Sequence, residues 1–285
     1  MDPSQRRRAW RASFAFAVVG LVALEALARL TLATPLSEVV VAPEVWRALR
    51  RSSLSPQATT LVLGDSVARQ LYNQHNEDAT GYLHLTTNQA VSMAGQYLLL
   101  ERTLATHPRL ERVVLVYRPT SFANDLDQTY TFNNFVKPFC DLGTWSQLPD
   151  SVHERIRRRP LWWLGLLPLV KASRIASEID YSSDAKEPDP DATPRLSPVS
   201  AEFLKRMDIL ARSRGFALTL RSVPVRDQPR MQLGPLRDAV EAAGLSTLFA
   251  GYFESIEVLE AAKFIDGSHL LPKVVDELGP NPLKL

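Results

Sequence analysis

Apolar positions along the chain follow two patterns that alternate. Short runs of consecutive apolar residues, rich in β-branched side chains, are typical of strands buried on both faces of a parallel sheet. Between these runs, apolar residues recur at every third or fourth position, as they do on one face of a helix. This alternation predicts an α/β fold built on a doubly wound parallel sheet. The predicted strands are residues 59–63, 81–87, 113–117, 216–223 and a short fifth strand at 247–250, and the predicted helices are residues 43–51, 66–72, 93–106, 201–214 and 232–243.

The N-terminal part departs from this alternation, because residues 12–24 carry no charge and four arginines precede them. If Glu25 and Arg29 pair at the i, i+4 spacing of a helix, the apolar stretch continues to residue 34. It then reaches a length of about 20 residues, which is enough to span a bilayer. Basic residues before such a segment favour a cytoplasmic N-terminus. We therefore predict a signal anchor that contacts lipid as a single span of the cytoplasmic (inner) membrane, with the rest of the chain on the periplasmic or extracellular side.

Two other interpretations of the N-terminal segment stay open. The first is a cleaved signal peptide, with Ala26-Leu27-Ala28 as its cleavage site. Against it, Arg29 follows the site directly and the apolar pattern continues beyond it. The second is an amphipathic helix that stays in the cytoplasm. The anchor and the cleaved peptide both place the remainder of the chain outside the cytoplasm.

Composition excludes several classes of protein. With 285 residues, 45% hydrophobic and 22% charged, the chain is long enough for one sizeable core and an appendage. A net charge of +2, from 33 basic and 31 acidic residues, gives no sign of the basic surface that nucleic acid requires. Cys140 is the single cysteine and cannot form an intrachain disulfide, and no Cys/His spacing indicates a metal site. We therefore expect neither nucleic acid nor metal as a ligand.

Candidate chemistry begins where the first predicted strand ends, at Gly64-Asp65-Ser66. In parallel sheets, ligands bind where strands finish and helices begin, so Ser66 would lie at the carboxyl end of a strand and at a helix N-terminus. That position suits a nucleophile. The same three residues also match an ordinary helix N-cap, which is the alternative interpretation.

A second candidate block, Asp266-Gly267-Ser268-His269, lies near the other end of the chain. A nucleophilic serine needs a base, and an imidazole base needs a carboxylate that fixes its tautomer and stabilises its charged form. His269 and Asp266 supply these two groups from one turn. The alternative is a simple turn followed by a surface or core histidine.

Together these two blocks resemble the first and last blocks of the SGNH/GDSL hydrolase superfamily, and they occur in the same order. Two intermediate blocks of that family also have counterparts here. The segment Asn88–Gly95 resembles the family's glycine block, and the segment Ser121–Asp125 resembles its Asn-Asp block. Phe122 departs from the family pattern, since it replaces the glycine that precedes Asn-Asp. The resemblance extends over residues 58–275.

The resemblance implies a three-layer α/β/α, flavodoxin-like fold and a role for each matched residue. Ser66 would be the nucleophile, His269 its base and Asp266 the orienter of His269. The oxyanion hole would consist of the backbone amides of Ser66 and Gly95 and the side-chain amide of Asn124. The family's chemistry requires no dissociable cofactor.

The family contains esterases, lipases and acyltransferases of cell-surface polysaccharides. Its membrane-anchored branch suggests an enzyme that moves acyl groups, with acetyl the leading choice, onto or off envelope or extracellular polysaccharide. A separate multi-span membrane protein is then a possible partner that supplies the acyl group. The alternative function is a non-catalytic envelope protein that keeps the fold and binds glycan or an assembly partner.

Three further segments interrupt the predicted fold. Residues 129–139 are rich in aromatics and asparagine, as in a loop that borders a ligand or packs on the surface. Residues 160–170 are apolar but too short to span a bilayer, which leaves a lid, an interfacial helix or a buried helix. Residues 182–200 contain four prolines and predict a mobile excursion. The resulting organisation is a cytoplasmic tail (1–11), an anchor (12–34), a spacer (35–57) and a catalytic domain (58–285) with an insertion at about 125–200.

Overall fold

A computed structural model of the chain provides the three-dimensional structure. It describes residues 2–34, 36, 43–54, 58–73, 80–88, 90–126, 129–140, 142–146, 148–158, 160–167, 171–178, 193–227 and 231–285. The strands are β1 (Thr60–Gly64), β2 (Leu83–His84), β3 (Arg112–Val116), β4 (Ala217–Arg221), β5 (Val225–Arg226) and β6 (Val258–Leu259). The α-helices are α1 (Pro3–Ala33), α2 (Pro43–Arg51), α3 (Ser66–Leu71), α4 (Met93–Leu104), α5 (Thr129–Thr131), α6 (Leu142–Trp145), α7 (Asp150–Arg157), α8 (Lys171–Glu178), α9 (Pro198–Arg214), α10 (Gly234–Ala242) and α11 (Pro272–Leu278).

Four parallel strands form the main sheet, in the order β2-β1-β3-β4. In register, Leu61 of β1 lies opposite Leu83 of β2 on one side and Val113 of β3 on the other. The chain moves from β1 outward to β2 and then returns to the opposite side of β1 for β3. Such a reversal opens a crevice outside the carboxyl ends of the two central strands, where ligands bind in open α/β sheets. The residues that follow β1 and β3 therefore line the expected site.

The first strand is buried along its whole length, which explains its continuous apolar sequence. At its end, Gly64 is required by close approach: a Cβ there would lie 2.3 Å from the Ala68 Cβ and 2.6 Å from the Val116 carbonyl oxygen. Any side chain would therefore push α3 away from the sheet. The glycine lets the chain turn directly from β1 into α3, with Ser66 at the helix start.

Most predicted elements are confirmed, with adjusted lengths. The helix at residues 43–51 matches α2, and four of the five predicted strands pair as one parallel sheet. The second strand is shorter than predicted, since only Leu83–His84 belongs to the ladder. The helix expected from residue 201 begins at Pro198, because proline suits the first helical position and the Ser197 hydroxyl caps the Ser200 amide at 3.0 Å.

The predicted fifth strand at residues 247–250 is wrong. Phe249 donates its amide to the Leu245 carbonyl, and Tyr252 donates its amide to the Phe249 carbonyl, so the segment is a series of helical turns. The side chains of Leu245, Phe249 and Tyr252 are all buried at this helical spacing, whereas a strand would place Tyr252 on the face opposite the other two. Beyond the main sheet, the short strands β5 and β6 pair in parallel as a separate two-stranded sheet.

The structure also bears on the alternatives for the aromatic segment 129–139 and the apolar segment 160–170. Around residues 129–139, α5 continues into a π-helical turn at Phe132–Val136, in which Phe132 and Phe135 are buried. This favours the interpretation as a packed segment. In the described part of residues 160–170, Trp162–Leu166 is a 3-10 turn with Leu166 buried and Trp163 half exposed, so it is not the buried helix that was one of the three alternatives. The first part of the predicted excursion, residues 182–192, lies outside the described residues.

The chain divides into two compact units. One consists of Met1–Pro43 and Lys137–Tyr181, and the other of Glu44–Val136 and Ser182–Leu285. The parallel sheet and all candidate site residues belong to the second unit. The predicted three-layer arrangement and the predicted domain bounds stay predictions.

Candidate active site

The turn after β1 positions Ser66 through the residue before it. Asp65 is the N-cap of α3, and its Oδ1 accepts the backbone amides of Val67 at 3.1 Å and Ala68 at 3.4 Å. Its other oxygen accepts the Ser121 hydroxyl at 2.8 Å. Capping is thus done by Asp65, which leaves the Ser66 hydroxyl available for other contacts. Asp65 is buried with both oxygens engaged, so its visible role is to hold α3 and the segment after β3 together.

The second candidate block is a tight turn anchored in the core. Phe264 and Leu270 form an antiparallel bridge at its base, and the Ile265 amide donates to the His269 carbonyl at 2.8 Å. Both bridge residues are buried in a cluster that includes Val62 of β1 and Leu71 of α3. The apolar base therefore holds the polar tip of the turn near the start of α3.

A side-chain clamp sets the distance between this turn and Ser66. Gln70 lies one helical turn after Ser66 and thus on the same face of α3. Its Oε1 accepts the Leu270 amide at 3.0 Å, and its Nε2 donates to the Leu270 carbonyl at 3.4 Å. The clamp holds the backbone next to His269 beside the helix that carries Ser66.

The result is a chain of hydrogen bonds through three side chains. His269 Nε2 lies 3.1 Å from Ser66 Oγ, and His269 Nδ1 lies 2.9 Å from Asp266 Oδ2. The other Asp266 oxygen accepts the backbone amides of Ser268 at 2.6 Å and His269 at 2.7 Å. This is the geometry in which a carboxylate orients an imidazole and the imidazole takes a hydroxyl proton.

The electrostatics of Asp266 suit this arrangement. Burial raises the pKa of its carboxyl, but the hydrogen bonds from the His269 amide, the His269 imidazole and the Ser268 amide outweigh burial and lower the pKa below its ordinary value. Asp266 therefore stays ionised at neutral pH and can stabilise a protonated His269. The Asp266 side chain is 53% exposed and the His269 side chain 19%, so substrate can approach the pair from solvent.

Two other described histidines, His84 and His107, have structural surroundings. His84 contacts Thr80 and the Asn73 carbonyl, and burial lowers its pKa. Burial likewise lowers the pKa of His107, whose ring lies 2.9 Å from the Thr103 carbonyl. His269 is the histidine that the fold brings to a serine hydroxyl within the described part of the chain.

Two of the predicted oxyanion donors are engaged elsewhere. The Gly95 amide donates to the Ser92 carbonyl at 3.1 Å, and the Asn124 side-chain amide donates to the Val91 carbonyl at 2.7 Å. Asn124 thereby connects the segment after β3 to the predicted glycine block. The Ser66 amide is the first of α3, so it has no intrahelical acceptor and suits an oxyanion. The roles of Gly95 and Asn124 stay predictions.

Gly95 also has a packing role. A Cβ at this position would lie 3.1 Å from the Ala90 Cα and 3.1 Å from the Thr131 Cγ2. The glycine thus lets the first turn of α4 pack closely against the preceding loop and α5. This contact also places Thr131 where its hydroxyl accepts the Ser92 amide at 3.1 Å.

Two residues that support the site were not predicted from the sequence. Gln70 could have been suspected from its i+4 spacing to Ser66, whereas its backbone partner two hundred residues later could not. Arg118 follows β3 and donates to the Ser268 hydroxyl, inside the Asp266–His269 turn. No local sequence signal identifies such a contact. In the described ranges, no group of three or more His, Cys, Asp or Glu side chains is placed to hold a metal ion.

Comparison with known proteins adds little to this geometry. No protein-family model matches the chain, and no curated protein matches it. Among solved structures, the chain is similar to "a putative platelet activating factor from Streptococcus pneumonia", with 10% sequence identity, coverage of 86% of this chain and 90% of that chain, and a TM-score of 0.36. A likeness at this TM-score supports no conclusion about fold or function.

Proposed function

We propose that the chain is a membrane-anchored serine enzyme of the SGNH type, an esterase or O-acyltransferase that acts on acyl esters of envelope or extracellular polysaccharide. The observation that carries the proposal is the hydrogen-bonded series from Ser66 through His269 to Asp266, at 3.1 and 2.9 Å. Resemblance of the four sequence blocks to the SGNH pattern supports the reaction class. A multi-span membrane protein that supplies acyl groups remains part of the proposal for the transferase form.

In the proposed reaction, Ser66 Oγ attacks the ester carbonyl while its proton passes to His269 Nε2. The tetrahedral intermediate then collapses, and the leaving alkoxide takes the proton from His269. This step leaves an acyl-serine and a free alcohol. His269 next removes a proton from water or from a sugar hydroxyl, which attacks the acyl-serine and restores Ser66. Hydrolysis and transfer thus differ in the second nucleophile.

The negative charge of the tetrahedral intermediate requires hydrogen-bond donors. The Ser66 amide, at the positive end of α3, is one proposed donor. Gly95 and Asn124 are the other two, and each would exchange its present acceptor for the oxyanion when substrate is bound. Catalytic hydrogen bonds commonly form their final geometry only in the complex with substrate. Losing one donor typically costs on the order of 100-fold or more in rate.

The N-terminal helix supports anchoring rather than removal. Helix α1 is apolar enough to cross a membrane, and its 31 residues make it about 46 Å long. Within the same unit, the Glu25 carboxylate accepts the Ala172 amide at 3.1 Å and the Ser173 amide at 3.0 Å, which caps the start of α8. Arg29 also donates to Glu25, as the spacing predicts. Cleavage after Ala28 would remove this cap.

We expect the protein to keep α1 and to face outward. Membrane-extracted protein should retain residues before Ala28 when its N-terminus is determined by mass spectrometry, because the helix contributes a structural contact to α8. A reporter that works only outside the cytoplasm should be active when fused after Leu285. As a control, a chain whose residues 1–34 are replaced by a cleavable signal peptide should be released from the membrane. A mature N-terminus at Arg29, or cytosolic reporter activity, would contradict the anchor.

Labelling with a fluorophosphonate tests the catalytic proposal directly. Such a probe forms a covalent bond with a serine whose hydroxyl is activated by a base. We expect labelling of the purified protein at Ser66, located by peptide mass spectrometry, and loss of labelling in His269→Ala. Protein that shows a cooperative thermal unfolding transition, and is therefore folded, but is not labelled would contradict the enzyme proposal. The glycan-binding or assembly function would then remain.

A further inference from the structure

Exposed apolar side chains are concentrated in one turn of the unit that contains α1. Within residues 161–167, here called the apolar turn, four large apolar side chains are between 37 and 62% exposed: Leu161, Trp163, Leu164 and Leu167. Single exposed apolar residues are ordinary on a protein surface, whereas a group of them marks a site of contact with a protein or a membrane. The proposed serine chemistry gives this group no role.

The backbone of the apolar turn begins in a disfavoured conformation. Leu161 has φ 53° and ψ 28°, in the left-handed region where the Cβ of an L-residue crowds the following carbonyl oxygen. Its side chain is exposed, so the conformation gains little burial within the protein in return. Backbone strain of this kind clusters at functional sites. The conformation is explained if the leucine side chain has a partner outside the chain.

Helix α8 connects the apolar turn to α1. The Arg174 side chain of α8 packs on Gly165 of the turn, where a Cβ would lie 2.8 Å from Arg174 Cδ. The same guanidinium donates to the carbonyl oxygens of Pro138, at 2.8 Å, and Cys140. The first residues of α8 bind the Glu25 carboxylate of α1 through two backbone amides. The apolar turn, α8 and α1 belong to one compact unit, so the position of α1 in a membrane determines where the turn lies.

The sequence of α1 indicates the depth of this connection. Arg11 is the last charge before the apolar run, and Glu25 follows it by 14 residues, which is about 21 Å along a helix. The hydrocarbon core of a bilayer is about 30 Å thick, so with Arg11 at the inner boundary Glu25 lies in the outer leaflet. Glu25 is the one buried residue of α1, all of whose residues are described, and Arg29 and the α8 amides compensate its charge. A carboxylate at membrane depth requires such partners.

We propose that the apolar turn is a second membrane contact, which inserts its exposed side chains into the outer leaflet beside α1. Lipid is the partner that continues the surface of α1, because the apolar side chains along that helix are exposed and the helix is apolar enough to cross a membrane. Tryptophan favours the bilayer interface, since its ring is apolar and its N–H group is polar. Even a whole myristoyl chain binds membranes only marginally. The apolar turn therefore orients the unit on the membrane, while α1 anchors it.

Depth-dependent fluorescence quenching tests this contact on the full-length protein. Cys140 is the single cysteine, so Cys140→Ala combined with Leu164→Cys allows the fluorophore NBD to be attached at one position. In vesicles of phosphatidylcholine and phosphatidylglycerol, lipids brominated at different depths should place this label about 5–10 Å inside the headgroup boundary. Aqueous iodide should quench it little. The same label on Ile209→Cys, an exposed apolar position of α9, should be quenched by iodide and not by brominated lipid.

A label on Trp163→Cys keeps the test decisive if Leu164→Cys fails to fold. The Trp163 side chain is also exposed, so its label should reach a similar depth. Iodide quenching of both labels without quenching by lipid would overturn the inference. Shielding of both labels from iodide without quenching by lipid would assign the turn to a protein contact, with a second copy or another chain, and would also overturn it.

A label in α1 separates this inference from the anchor itself. Leu21 follows Arg11 by 10 residues, or about 15 Å along the helix, which is near the centre of a hydrocarbon core of about 30 Å. A Leu21→Cys label at that depth, with the Leu164→Cys label in water, would support the anchor and reject the second contact. A Leu21→Cys label in water would reject both. The serine chemistry is tested separately, by fluorophosphonate labelling.

Discussion

Replacing Ser66 by alanine should lower ester hydrolysis or acyl transfer by on the order of 10⁴-fold or more, because the nucleophile is lost and only binding and oxyanion stabilisation remain. The fold should change little. Asp65, not Ser66, caps α3, and the Ser66 hydroxyl contacts His269. We expect the free energy of unfolding to change by less than about 1 kcal/mol. Hydrolysis of a chromogenic acetate ester and thermal unfolding of the same preparation measure the two effects.

Ser213→Ala is the matched control for this substitution. Ser213 lies exposed near the end of α9, where its hydroxyl donates to the Leu210 carbonyl. Its variant should have the activity of the unsubstituted chain. If the Ser66→Ala protein retains activity within tenfold of the control, Ser66 has no part in the mechanism.

Substitutions at Asp266 and His269 should behave as changes to one unit. His269→Ala removes the base and should be nearly as damaging as the loss of Ser66. Asp266→Asn should lower activity by on the order of 10²- to 10⁴-fold, because an amide stabilises the wrong imidazole tautomer and cannot stabilise the imidazolium. The asparagine oxygen can still accept the Ser268 and His269 amides, which the Asp266 carboxylate accepts at 2.6 and 2.7 Å. The turn should therefore keep its conformation.

The double variant distinguishes a coupled pair from two independent residues. Once His269 is absent, Asp266 has no imidazole to orient, so Asp266→Asn should cost little further activity in a His269→Ala background. Asp208→Asn, on α9, is a control for the chemical change and should leave activity intact. Losses that multiply in the double variant would show that Asp266 does not act through His269. Asp125 would then be the carboxylate to test, since Asp65 is already engaged by α3 and Ser121.

Several elements were predictable because their causes are local. The run before Gly64 is apolar and β-branched, so it predicts a buried strand wherever the rest of the chain lies. Pro43 opens α2 and Gly215 ends α9 in a left-handed conformation, with φ 77°. The pairing of Glu25 with Arg29 follows from helical spacing alone. In each case, the residues that decide the structure are neighbours in sequence.

Other elements were not predictable, since distant residues decide them. The segment from Leu245 to Tyr252 satisfies a strand pattern as well as a helical one, and burial of Phe249 against Phe122 selects the helical turns. The short strands β5 and β6 owe their conformation to each other rather than to their own sequences. The Gln70 clamp on Leu270 joins residues at opposite ends of the domain.

By itself, the sequence determined the types of side chain at the candidate site and the order of the blocks that carry them. Serine after a strand, and an acid three residues before a histidine, follow from local composition and spacing. Only the tertiary structure decided that His269 reaches Ser66, that the Asn124 side chain is engaged by the Val91 carbonyl, and that Arg118 lies buried beside Ser268. The physical reason is that hydrogen bonds act over about 3 Å, whereas the order of residues along a chain leaves their separation in space undetermined until the sheet and core are packed.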